Sequence, residues 1–170
     1  MRLYSLFYEN FLRLLNQLIL MDYKYLITDL NRNKSQKIIG TDKGLAKIGD
    51  GIVNVAYSVA KSIFLTKNNP NDNIIRTGKK VGKTVLEAAL KNANMKNFAK
   101  TRANAHDLAD TVESIVAYVW LDNKMSLKEI IDFLADNLSG DLYNRTEEIE
   151  MAIIAFTNLL DYIKKFLPEK

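Results

Sequence analysis

Residues 42–65, DKGLAKIGDGIVNVAYSVAKSIFL, constrain the fold of this chain more than any other stretch. Leu45, Ile48, Ile52, Val55, Ala56 and Val59 recur at three- and four-residue intervals, which predicts a long amphipathic helix opened by Thr41 or Asp42 as its cap. Ala46, Asp50 and Asn54 follow one another at i, i+4 and i+8, so a carboxylate stands in line with an amide at the margin of the apolar stripe. Gly49 and Gly51 flank that carboxylate, although glycine inside a helix costs roughly 0.5–1 kcal/mol against alanine. Close approach of another backbone would account for them. The plain alternative is a core helix with one solvated aspartate.

No long window alternates apolar and polar residues, and the only prolines are Pro70 and Pro168, so the expected class is all-α. Helices are expected over 3–20, 23–30, 42–67, 74–90, 105–122, 126–138 and 146–167, about seven in all. Segment 31–42 reads as a loop with Gly40 before the cap, and Ser126 with Glu129 three residues on reads as a capping box. Thr146 is the expected cap of the last helix. At 170 residues the chain suits one domain, 23–170, with residues 1–22 as an N-terminal helix that is an extension or begins the native chain, Met21 being a second candidate start. Glu9, Asn10, Arg13, Asn16 and Gln17 interrupt the apolar run of the first twenty residues, so a cytoplasmic protein without a membrane span is expected.

Several chemistries are excluded by what is absent. There is no cysteine and a single histidine, His106, so thiolate and multi-histidine metal sites are impossible and any metal must rest on oxygen or nitrogen ligands. No Ser-His-Asp or Cys-His arrangement is recognisable, and GKKVGKT, 78–84, lacks the spacing of a phosphate-binding loop. Charge is uneven: residues 24–104 hold 16 Lys and Arg against 5 Asp and Glu, while residues 105–170 hold 6 against 13. A basic block of this kind suits a polyanion, or is simply a solvated surface.

Within 105–122, Leu108, Val112, Ile115 and Val119 define an apolar face, and His106, Asp110, Glu113 and Ala117 share a narrow strip to one side of it. Asp50 on one helix and Asp110 with Glu113 on another are therefore the candidate acids. Hard cations such as Mg²⁺ take carboxylate oxygens and water, and they serve reactions on phosphates. Carboxylates at i, i+3 on a helix are also common as ordinary solvent-facing groups.

GDGIVNV, 49–55, and LADTVESIVAYVWLD, 108–122, resemble the two acidic motifs of the ribonuclease III family, and VGKTVLEAAL, 81–90, is similar to the segment between them. The form DKGLAKIGD is closest to the short archaeal proteins of that type. The resemblance implies an all-α endonuclease domain that forms a homodimer, binds double-stranded or structured RNA and hydrolyses it with Mg²⁺, Mn²⁺ being a substitute. By matching positions, Asp50, Asp110 and Glu113 become metal ligands, and Asp50 and Glu113 the catalytic pair. Asn54 would orient one of them or a water, and His106 would stand at the margin.

The family pattern is not complete. Its first-motif Glu falls on Ala46, and an earlier conserved Glu falls on Lys43. The 48 residues after 122 are acidic and apolar, unlike a double-stranded-RNA-binding domain, so RNA affinity is expected from Lys34, Lys37, Lys79, Lys80, Lys83, Lys96, Lys100 and Arg102. A catalytically weak or inactive RNA-binding homologue of the same fold is the alternative, and a helical interaction protein with structural acids a more distant one.

Overall fold

The computed structural model describes residues 23–32 and 35–169, and every regular element within them is helical. A 3₁₀ turn, Tyr23–Ile27, leads into α1 (Thr28–Arg32), and α2 (Gln36–Thr41) and α3 (Lys43–Lys67) follow. Then come α4 (Lys83–Asn92), α5 (Ala105–Leu121), α6 (Leu127–Asp136) and α7 (Arg145–Ile163). The all-α expectation therefore holds for the described residues. The helix expected over 3–20 and the extension 1–22 lie outside them.

Local chemistry explains most of the helix starts. Asp42, not Thr41, caps α3, its carboxylate accepting from the Leu45 N–H at 2.7 Å. Ser126 and Glu129 form the expected capping box at α6, and Asn104 with Asp107 forms a second one at α5. The cap of α7 is Asn144 rather than Thr146, whose backbone N–H instead donates to the Asn144 side chain. Each such cap is worth about 1 kcal/mol.

Helix α5 lies at the centre, packed against α2, α3 and α4, while α7 closes the far side against α4 and α6. From Leu108 to Leu121 nearly every residue of α5 is buried, Thr111 and Ser114 included. Among the described residues α3 is the one helix whose length and apolar content would let it cross a membrane; here it packs on α5 and α6 as a core helix. Its apolar stripe divides. Leu45, Ile52 and Ala56 are buried as expected, but Ile48, Val55 and Val59 are exposed at 38%, 50% and 39%. The helix turns a second apolar row outward, which the spacing alone did not separate from the first.

Two expected elements are corrected. Residues 36–41, read as loop, form α2, in which Ile39 is wholly buried and Gly40 sits against the Phe98 backbone. Six residues are too few to display a period. The helix expected from residue 74 begins only at Lys83, because the backbone of 75–81 is taken up by side chains of α3. Thr66 Oγ1 accepts from the Ile75 N–H and donates to the Ile75 carbonyl; Ser62 Oγ accepts from the Thr77 N–H; Ser58 Oγ accepts from the Lys79 N–H and donates to its carbonyl. Asn54 Oδ1 completes the series by accepting from the Val81 N–H at 2.7 Å. Four residues of helix rise about 6 Å and two residues of extended chain about 6.6 Å, so the two repeats run in step over this distance.

A buried charge network ties α7 to the same segment. Glu148 of α7 is only 5% exposed and accepts from Lys61 of α3 at 2.7 Å, with Lys79 Nζ at 3.2 Å and the Tyr57 hydroxyl at 3.5 Å. Burial alone would raise the Glu148 pKa, but hydrogen bonds from Lys61 and Lys79 outweigh it and hold the carboxyl below its ordinary range.

The two glycines beside Asp50 serve different ends. A Cβ at Gly49 would fall 2.0 Å from the carbonyl oxygen of Glu113 and 2.4 Å from its carbon, so α3 and α5 touch there through their main chains. At Gly51 a Cβ would meet nothing within 4 Å, so no other helix of this chain comes close at that position. Gly49→Ala is expected to destabilise by about 3 kcal/mol, since neither backbone can yield, while Gly51→Ala should stabilise by about 0.5–1 kcal/mol. Urea unfolding of the two variants beside the parent measures both signs.

Candidate active site

The close approach at Gly49 fixes how α3 and α5 present their polar residues to each other. Lys43, Ala46, Lys47 and Asp50 descend one side of α3, and His106, Ala109, Asp110 and Glu113 one side of α5. Together with Lys80, Val81, Gly82 and Lys83 from the approach to α4, they line one cavity of about 590 Å³. Asp50, Asp110 and Glu113, from separate parts of the sequence, thus share a single space.

Each acid has a distinct setting. Asp50 is half-exposed; its Oδ1 accepts from Asn54 Nδ2 at 2.9 Å, and Lys80 Nζ stands 4.0 Å away. The same Asn54 side chain accepts from Val81, so one amide fixes both the carboxylate and the segment that carries Lys80. Asp110 is ion-paired with Lys43 at 2.5 Å. The hydrogen bond from that lysine to Asp110 is the main reason its ammonium holds its proton above the ordinary lysine range. Glu113 is half-buried, and its pKa rises to about 7, first through burial and then through the negative charges of Asp50 and Asp110.

Of the other residues named from sequence, His106 is exposed at the rim with Nε2 3.1 Å from Lys83 Nζ. Lys79 is turned to Glu148, Lys100 to Asp107 and Lys37 to the Thr101 hydroxyl, so these three expected RNA contacts already serve the fold. Lys34 lies outside the described residues. Lys47 was missed, as was the role of Lys43 as a partner of Asp110. Their spacing from Asp50 at i−3 and i−7 was the available signal, because both positions return to the same side of α3.

Mg²⁺ usually binds through one or two carboxylates, substrate phosphates and retained waters rather than a complete protein cage. Among the described residues no three acidic or histidine groups close on one point as a ready metal centre. The donor set nonetheless suits such an ion: Asp50 and Glu113 present carboxylate oxygens to an open cavity with room for water, and the repulsion from Asp50 and Asp110 that adds to burial in raising Glu113 is what a cation would relieve. Lys43 engages the third acid.

A family model described as Ribonuclease III matches residues 43–168, a span that contains the whole cavity. Comparison with curated proteins gives no match.

Glu113 carries a proton more readily folded than unfolded, so the stability linked to it is fully present below about pH 4.5 and is lost as pH rises through about 7. Glu113→Gln is expected to flatten the stability profile across that window and to raise stability at pH 8 by about 1–2 kcal/mol, allowing for solvent screening of a half-buried group. Thermal or urea unfolding between pH 4.5 and 8 without divalent ions tests this; an unchanged profile would contradict it.

Proposed function

The chain belongs to the ribonuclease III family, and from that premise we propose that it is an endoribonuclease that hydrolyses phosphodiester bonds in double-stranded or structured RNA. The observation that carries this reading is the meeting of Asp50, Asp110 and Glu113 in one lysine-rimmed cavity. Asp50 and Glu113 would hold Mg²⁺ or Mn²⁺, with Asp110 joining them when released from Lys43. When bound, the ion supplies Lewis-acid polarisation of the phosphoryl group and activation of water.

The remaining work falls to the chain's own residues. Asn54 holds the Asp50 carboxylate in one orientation through its 2.9 Å hydrogen bond. Lys47, Lys80 and Lys83 offer ammonium groups to RNA phosphates along the cavity edge. The attacking water forms a new P–O bond as the P–O bond to the leaving ribose oxygen breaks; a Glu113 carboxylate oxygen would accept a proton from that water, and the leaving oxygen would take one from solvent.

We also propose that the protein acts as a homodimer through the outward apolar row of α3. Ile48, Val55 and Val59 are exposed on one side of that helix, Gly51 lies exposed among them, and an apolar groove lined by Val59, Ile63, Ile74 and Ile75 extends the row. A second copy of the same row is the self-complementary surface a two-fold dimer needs. The DKGLAKIGD form supports placing the chain with the short archaeal proteins of the family, and an RNA-processing role in the cytoplasm, away from membranes, accords with this reading.

A second reading, RNA binding without efficient cleavage, is favoured by Ala46 in place of the family acid and by the Lys43–Asp110 pair. Purified protein incubated with labelled duplex RNA in Mg²⁺ or Mn²⁺ is expected to cleave it, and Glu113→Ala to lose at least about 100-fold in rate. Intact RNA binding with no cleavage in either metal would replace the first reading by the second.

A further inference from the structure

Four ammonium groups, those of Lys43, Lys47, Lys80 and Lys83, line the cavity beside three carboxylates. Their distribution is uneven. Lys80 stands off from Asp50 at 4.0 Å and Lys83 faces His106, whereas Lys43 is in direct contact with Asp110. Lys43 is also the first residue of α3, one position after its cap, so its stem starts from the turn that Asp42 holds. On the same side of α3, Ala46 contributes no carboxylate. The cavity thus contains one cation already paired with an acid where free carboxylates would otherwise gather mobile ones.

We infer that Lys43 is a resident cation of the site: held on Asp110, its ammonium withdraws that carboxylate from metal binding and provides a metal-independent contact for a phosphate of the RNA. An ammonium carries three N–H donors, and a carboxylate pairing satisfies only part of them, so Lys43 can hold Asp110 and a phosphate oxygen together. The side chain is 67% exposed, which leaves its outer face open to a strand lying over the cavity. Divalent ions and Lys43 then compete for Asp110, and the site takes its metal mainly on Asp50 and Glu113. The inference rests on the reading of this cavity as the RNA-binding site, but not on cleavage.

The test uses Lys43→Met, which keeps the length of the side chain and removes its charge, beside Lys43→Arg, which keeps the charge. Duplex RNA binding is measured by fluorescence anisotropy in EDTA across a range of salt, and Mn²⁺ binding to the RNA-free proteins by electron paramagnetic resonance. Lys43→Met is expected to bind RNA about threefold to tenfold more weakly in EDTA, with a salt slope smaller by about one. It should also bind Mn²⁺ about fivefold more tightly, the scale of one exposed ion pair released. Lys43→Arg should stay close to the parent in both measurements. Parent-like RNA affinity and salt slope in Lys43→Met, or an unchanged Mn²⁺ affinity, would overturn the inference. Far-ultraviolet circular dichroism melts confirm that the variants are folded, and because no cleavage is read, a failed nuclease assay and a failed Lys43 test remain separate results.

Discussion

The hydroxyl and amide ladder between α3 and residues 75–81 is the interaction on which the rest of the structure depends. Asn54, Ser58, Ser62 and Thr66 stand one helical turn apart and satisfy alternate backbone groups of a segment that has neither helix nor sheet partners of its own. The ladder gives this part-exposed backbone the partners that secondary structure would ordinarily supply, each hydrogen bond being worth about 0.5–1.5 kcal/mol. It ends at Asn54, which also grips Asp50. The polar line read from sequence as Ala46, Asp50 and Asn54 is therefore the upper end of a longer one. Its lower part holds a strand-like segment in place, and its upper part lines the cavity.

Much of this was legible in the sequence where period and capping chemistry were strong. The long helix α3, the buried face of α5 and the Ser126–Glu129 box follow from spacing that the packing then respected. The three acids could be named because two motifs carried them, and the fold brings all three to one cavity. What could not be read depended on contacts across the chain. Residues 74–82 carry Gly78 and Gly82 among four β-branched residues, a local signal against helix, and the hydroxyls of another helix take up their backbone in the extended state. The pairing of Lys79 with Glu148 joins residues 69 positions apart, and no local rule anticipates it. The division of the α3 stripe into buried and exposed rows likewise depends on where α5 and α6 come to lie.

Electrostatics in the cavity follow from placing unlike groups at unequal depth. Glu113 is partly withdrawn from water and feels two carboxylates, whereas Asp50 and Asp110 each stand near an ammonium. Glu113 consequently holds its proton more tightly than an ordinary glutamate. Four ammonium groups against three carboxylates leave the cavity lining net positive, which suits a polyanion.

The main-chain contact at Gly49 sets the separation of Asp50 and Glu113 by the thickness of two peptide backbones, not by any pair of side chains. Core residues elsewhere can therefore drift in size over evolutionary time without altering the spacing of the reactive groups. The inheritance of the site is concentrated in one position that has no side chain at all. Side chains around the cavity, those of Ala46 and Lys43 among them, can be exchanged without disturbing that frame.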